Sequence, residues 1–387
     1  MIKAITAHTF EIDDTDRAVS DICTQLDIGR SLYAHSVGIM SCSSEFVETG
    51  VVKAIAEALP FEVIGCTTVG TAVSSALGEL MLGLIVLTGT DIIFSAGVSA
   101  SLTDDQDAPL AAAYRRARDR LPGEPALMIA FTPMMKQVTG EMLVETLTKI
   151  NPALPIFGAQ AVDYIDITEF SKSYTLFNGE FFQDVLSFVL IYGDLHPSFF
   201  VASVSNMHIQ RQKAVVTKSE GNCVMEVNGM PLLTYLEKLG MLGLHMGTGL
   251  SFPFMVDYHD GTEPVPRAIY SVHPEGYVIF SGRVPVGATV AVGEMDYPDV
   301  LHTARETLTK VTKQKKTCVL LFSCLIRYIV LGADTTAEME QVRSILDSDK
   351  EKSYQFFYSG GEICPVYGEK GKLVNRFHNC SFIVCAL

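Results

Sequence analysis

One pattern constrains this chain more than any other, and it comes three times. A buried strand is followed by a helix. A second strand then ends in glycine and small polar residues, and more apolar strand follows. In the first copy Ser36-Val-Gly-Ile-Met-Ser-Cys42 is the strand, and 46–59 is the helix, with Val47, Val51, Ile55 and Leu59 on one face. Phe61-Glu-Val-Ile-Gly-Cys-Thr-Thr-Val-Gly70 is the second strand; strands over 79–87 and 92–97 follow, turned at Gly89-Thr90-Asp91. The second copy runs through a strand at 126–131, a helix at 140–150 and a strand at 155–163, then strands at 185–192 and 198–204. A short extra strand over 173–177, closed by Asn178-Gly179, is inserted in it. The third copy has strands at 317–322, 356–362 and 378–387, with a helix at 336–346. The copies share few identities and differ in loop length, which marks supersecondary repeats and not a solenoid. The expected fold is mixed α/β, built from repeated strand–helix–strand–strand units.

The glycine ends are Gly65-Cys-Thr-Thr, Gly158-Ala-Gln-Ala and Gly360-Gly-Glu. If the copies pack about a pseudo-symmetry axis, these ends converge on one cleft. Gly360 and Gly361 lack Cβ atoms, so their backbone N–H groups can face a ligand. Glu362 and His378 are ionisable and flanked by apolar runs, which suggests a site; the plainer reading is a tight turn with Glu362 in water. Between copies two and three the character changes. A strand over 222–227, a helix over 232–239, and short period-two strands at 267–272, 277–281 and 288–292 precede a helix that starts at Pro298. A domain boundary is expected in Lys218-Ser-Glu-Gly-Asn222, dividing 1–219 from 220–387.

A net charge of −15 argues against a nucleic-acid groove and against an anionic membrane surface. The basic runs at 115–120 and 310–316 read as solvated helix ends. The apolar windows at 80–98 and 185–204 are each broken by a glycine–aspartate turn, so they read as strand pairs and not membrane spans. The nine cysteines form no CxxC pair, and the start reads as a strand and not a signal peptide, so a reduced cytoplasm is expected.

Chemistry-bearing residues are few. Arg327 and Glu362 each follow an apolar strand; they either pair with each other or grip a ligand carboxylate or ammonium, and Asp163 has the same two readings. His378 is the first candidate for a haem axial ligand and His245 the second, although a histidine beside Asn379 is also a common hydrogen-bonded core residue. Without CxxCH, covalent haem attachment is excluded. Cys66, beside Thr67, sits at a strand end where a nucleophile can be exposed, but no histidine is paired with it as a base. GxSxG, HExxH, GxGxxG and the Walker pattern are absent.

Taken in order, several pieces resemble the FIST family of intracellular sensory domains: Ile64 to Gly70, Pro155 to Asp163, Phe177-Asn-Gly179, and Val227-Asn-Gly-Met-Pro231 with Tyr235. The others are Gly282 to Gly287, Phe322 to Arg327, Phe357-Tyr-Ser-Gly-Gly-Glu-Ile363 and His378-Asn379. The chain departs from the family pattern at Gly158-Ala159, where two glycines are usual. No F-box precedes the match, so the ubiquitin-ligase role of some relatives is not implied. The resemblance implies a FIST N-terminal part over 1–219 and a C-terminal part over 220–387. It also implies layered sheets with helices outside, in the manner of an αββα sandwich. It further implies a cytoplasmic sensor that binds a small, amino-acid-like ligand. Such a sensor signals through a partner such as a histidine kinase, a cyclic-di-nucleotide enzyme or a chemoreceptor. Cys66, Thr67, Asp163, Arg327, Tyr358, Gly360, Gly361, Glu362, His378 and Asn379 are the ligand-site candidates. The alternatives are a haem-binding nitric-oxide sensor with His378 as ligand, and a hydrolase or transferase using Cys66. The apolar final strand can pair across a homodimer.

Overall fold

The computed structural model describes residues 2–163, 173–241, 251–273 and 275–387. Three units of the same topology follow one another. The first has strands Ile2–Thr9, His35–Cys42, Val63–Thr67 and Leu82–Gly89; the second has Ile93–Val98, Leu127–Thr132, Ile156–Gln160 and Ser187–Tyr192. The third has Ser198–Ala202, Cys318–Cys324, Ser353–Ser359 and Phe382–Ala386. In every unit the sheet order is first, fourth, second, third, and only the second and third strands are parallel. Each parallel pair is joined by an outer helix, as such a crossover requires. The principal crossover helices are Val51–Ala58, Gly140–Ile150 and Ala337–Leu346.

Each unit also gives away a hairpin. The first lends Thr71–Val73 and Ala76–Gly78 to the third sheet, beside Ser353–Ser359. The second lends Thr175–Phe177 and Glu180–Phe182 to the first sheet, beside Val63–Thr67. The third lends Glu362–Tyr367 and Leu373–His378 to the second sheet, beside Ile156–Gln160. The exchange is cyclic, so every sheet is completed by another unit.

The layered α/β arrangement with helices outside is the expected one. The central core, however, is enclosed by three sheets and not by the two of a sandwich. Ile39 and Cys66 of the first sheet, Phe131 and Phe157 of the second, and Phe322 and Phe357 of the third all pack into it. Phe322 is the hub of these rings, 4.3 Å from Phe357 and 4.9 Å from Phe157. Sheets covered on both faces explain strands such as Leu82–Gly89, in which every residue is buried. At roughly 1.5–3 kcal/mol per buried large side chain, this core is the main tie between the units.

A fourth, antiparallel sheet is inserted between the first strand and first helix of the third unit. Its order is Val265–Arg267, Phe254–Asp257, Thr289–Gly293, Ile209–Glu220, Cys223–Val227, Val278–Phe280, Ile269–Val272. It has its own core, with Val216, Val227, Phe254, Phe280 and Val290. Asp296 caps the next helix, Tyr297–Thr312, by accepting from Asp299 N, and Pro298 lies in its first turn.

Two expectations need correction. The stretch 378–387 is two elements and not one: Leu373–His378 ends a hairpin and Phe382–Ala386 is the last strand, with Cys380 at φ 53° in the turn between them. That last strand is paired on both sides, with Ser198–Ala202 and with Cys318–Cys324, so it has no free edge to offer a dimer. Among the described residues no helix is long and apolar enough to cross a membrane.

Candidate functional site

The three glycine ends do meet. Val162 N donates to Thr67 O at 3.1 Å and Thr68 Oγ1 donates to Tyr358 O at 2.7 Å. Gln160 N donates to Gly361 O at 2.8 Å and Gly360 N donates to Gln160 O at 3.0 Å. Each unit is thereby bonded to the other two at one junction. Close approach demands glycine at Gly361, where a Cβ would sit 2.1 Å from the buried Phe377 ring, whereas one on Gly360 would meet the movable tip of Met134 at 2.2 Å.

Most of the junction is sealed. Cys66, Thr67, Tyr358, Gly361 and Asp163 are buried. Thr67 Oγ1 accepts from Tyr174 N at 2.8 Å, which fixes the lent hairpin. Burial, with Cys42 beside it, pushes the Cys66 thiol well above its ordinary range. A nucleophile needs a thiolate and access; Cys66 has neither here.

The expected Arg327–Glu362 pair is replaced by two separate arrangements. Arg327 is fully buried, and its Nη2 lies 2.7 Å from Glu338 Oε1 on the helix Ala337–Leu346. It also donates to Val300 O at 2.7 Å and to Thr303 Oγ1, so the guanidinium is consumed in holding two helices to the third sheet. Glu362 Oε1 accepts from Ser359 Oγ at 2.8 Å and Oε2 from Ser381 N at 3.4 Å. Burial without a full counter-charge raises its carboxyl well above the carboxylate range and so favours the neutral acid. Opposite it in register is His378, whose Nε2 lies 3.2 Å from Cys364 O. Burial depresses this imidazole to about 3. The surroundings do not fit haem: an axial bond from Nε2 would first have to break the bond to Cys364 and open the hairpin. His245 lies outside the described residues.

Of the sequence candidates, Gly360 and Asn379 border an open cleft of about 230 Å³. One wall comes from the second unit and its borrowed hairpin, with Met134, Gln160 and Phe377. The other comes from the fourth sheet, with Asn222, Phe280 and Ser281. Strand alternation places Phe377 and Asn379 on the cleft and His378 away from it.

Behind the cleft lies a residue the sequence reading passed over. Arg267 is fully buried and makes four kinds of contact. It donates to Phe377 O at 3.0 Å, Asn379 Oδ1 at 2.9 Å, Glu141 Oε1 at 2.8 Å and Tyr258 Oη at 3.0 Å. A lone arginine inside the apolar run Val265-Pro-Arg-Ala-Ile269 was the available signal. It ties the fourth sheet to the hairpin and helix that form the other wall.

The chain belongs to the FIST family. The FIST N domain model matches residues 36–230 and the FIST C domain model matches 234–365. These are signal-transduction sensory domains. No curated protein matches the chain in sequence. Among solved structures, a cyanuric acid hydrolase from A. caulinodans is similar at 11% identity and a TM-score of 0.35, over 100% of this chain and 99% of that one.

Proposed function

We propose that this protein binds a small, amino-acid-like molecule in the cleft between Gln160–Gly360 and the fourth sheet, and signals the occupancy to a partner protein. The observation that carries this reading is the composition of the cleft walls. Met134, Phe280 and Phe377 offer an apolar bed, Gln160, Asn222 and Ser281 offer amide and hydroxyl groups, and Lys136 stands exposed at the rim. An apolar side chain with a carboxylate at one end matches that distribution, the ammonium of Lys136 facing the carboxylate. A route for the signal lies in the same walls. Phe377 and Asn379 touch the cleft and also hold Arg267, so a ligand that shifts either one acts on the anchor of the fourth sheet. A histidine kinase, a cyclic-di-nucleotide enzyme or a chemoreceptor is the kind of partner such a sensor serves.

The test is a thermal-shift screen of the common amino acids, followed by calorimetry. A ligand at a hundred times its dissociation constant adds about 2.7 kcal/mol to stability, a clear rise in Tm. Ser281→Trp, which fills the cleft from the fourth-sheet side, is expected to abolish the shift, and Lys136→Glu to weaken it at least tenfold. A shift that survives Ser281→Trp unchanged places the ligand elsewhere.

A further inference from the structure

Among the described residues the third sheet keeps one edge open, at Ser198–Ala202, whose single partner there is Phe382–Ala386. Which backbone groups point outward follows from the neighbouring ladder. Leu387 and Cys318 exchange both of their backbone bonds, and Cys324 N donates to Ser381 O. Antiparallel alternation then turns residues 387, 385 and 383 toward Cys318–Cys324, and Phe382, Val384 and Ala386 toward Ser198–Ala202. Their partners Ala202, Phe200 and Ser198 therefore face inward. Phe199 and Val201 aim their N–H and C=O groups out of the sheet, and no described residue hydrogen-bonds to them.

At Val201 this edge enters a groove of about 500 Å³, continued by residues up to Asn206. One wall is the helix Tyr297–Thr312, with Thr303 and Lys310; the other is the fourth sheet, with Lys213 and Val290. Ser205 Oγ, also on the groove, is buried and has no partner among the described residues, and Val201 is exposed although it is apolar.

We propose that this groove takes an extended segment of another protein, which adds as one more strand to the third sheet. Outward backbone groups between a helix and a sheet recognise an extended backbone before they recognise side chains. A second copy of this chain is the wrong shape, because its own matching edge lies in the same groove. The helix wall is polar throughout, with Thr303, Glu306, Thr307 and Lys310, and the sheet wall includes Val290 and Ala291, so a strand lying between them turns polar side chains to one face and apolar ones to the other. The chain's net charge of −15 favours a segment that is not acidic. The proposal is independent of the amino-acid reading of the cleft.

An acetylated heptapeptide of alternating valine and lysine serves as the probe, with its analogue N-methylated at alternate backbone nitrogens as control. Binding is read by fluorescence anisotropy on the full chain, and hydrogen exchange reports the amides of Phe199 and Val201. The expected result is saturable binding at salt high enough to screen bare charge attraction, with slowed exchange over 198–206. Methylation and Val201→Pro should each weaken binding at least tenfold. Proline removes an N–H that the sheet does not use, so the fold should persist with an unchanged Tm. Should Val201→Pro unfold the chain, the methylated peptide still decides the matter, because an edge that recognises backbone must bind it at least tenfold more weakly. Equal binding of the methylated peptide, protection elsewhere, or no binding at millimolar peptide each overturns the proposal.

Discussion

Glu362 and His378 are a cross-strand pair in which burial favours the uncharged form of both members, and their pH dependences oppose each other. Glu362 is neutral when folded and ionises near 4.5 when unfolded, so its contribution is intact below pH 4.5 and is lost as pH rises toward its raised folded value. His378 is neutral when folded and takes a proton near 6.5 when unfolded. Its contribution is intact above pH 6.5 and is lost as pH falls toward about 3. Each slope is at most about 1.4 kcal/mol per pH unit. Glu362→Gln keeps the shape and removes the first slope. Its Tm relative to wild type should therefore climb steadily between pH 5 and pH 8. A difference that is flat with pH would mean that Glu362 is charged in the folded protein. Both residues were legible in the sequence, because ionisable groups inside apolar runs stand out. The partner of Arg327 was not. Glu338 sits in the acidic first turn of an amphipathic helix, where a charge looks solvated until the packing buries it.

At the scale of elements, the long buried strands and amphipathic helices were readable because their periods of 2 and 3.6 are written in the chain. The lent hairpins were not, since strands such as Thr71–Val73 are too short to show a period and pair in a different sheet from their neighbours. Convergence of the glycine ends could be expected from the repeats. The second wall of the cleft could not, because it comes from an insertion outside the repeat. Gly158 and Gly65 show what the parallel pairs demand. A Cβ on Gly158 would stand 1.9 Å from Ala130 O, and one on Gly65 would stand 1.9 Å from Met40 O. A carbonyl in a ladder cannot move aside as a side-chain tip can. Gly158→Ala is expected to destabilise by about 3 kcal/mol, read from the urea midpoint. Gly29→Ala, a substitution into open space within a short helix, is the control and should leave the midpoint unchanged or slightly raised. Equal midpoints for the two variants would show that the second sheet carries slack at its parallel pair.

For the whole molecule, the cyclic exchange makes stability collective. A cut between residues 219 and 220 leaves the first sheet with all its strands, because its borrowed hairpin, Thr175–Phe177 with Glu180–Phe182, precedes the cut. The second sheet would lose Glu362–Tyr367 and Leu373–His378. The third would be divided, with Thr71–Val73, Ala76–Gly78 and Ser198–Ala202 on one fragment and its remaining strands on the other. The central core would be opened as well, since Phe131 and Phe157 on one fragment pack on Phe322 and Phe357 of the other. Exposed apolar faces and open strand edges of this kind lead to aggregation. Residues 1–219 and 220–387 expressed separately should therefore be insoluble or lack a cooperative transition, while co-expression should restore a soluble complex that melts once. Two fragments that each melt cooperatively near the temperature of the intact chain would mean that the exchanged hairpins merely decorate self-sufficient domains. In that case Arg267 and the central phenylalanines would join two finished bodies, and a signal at the cleft would travel as a hinge motion between them. A single shared transition instead makes any ligand that stabilises the cleft stabilise all three sheets at once.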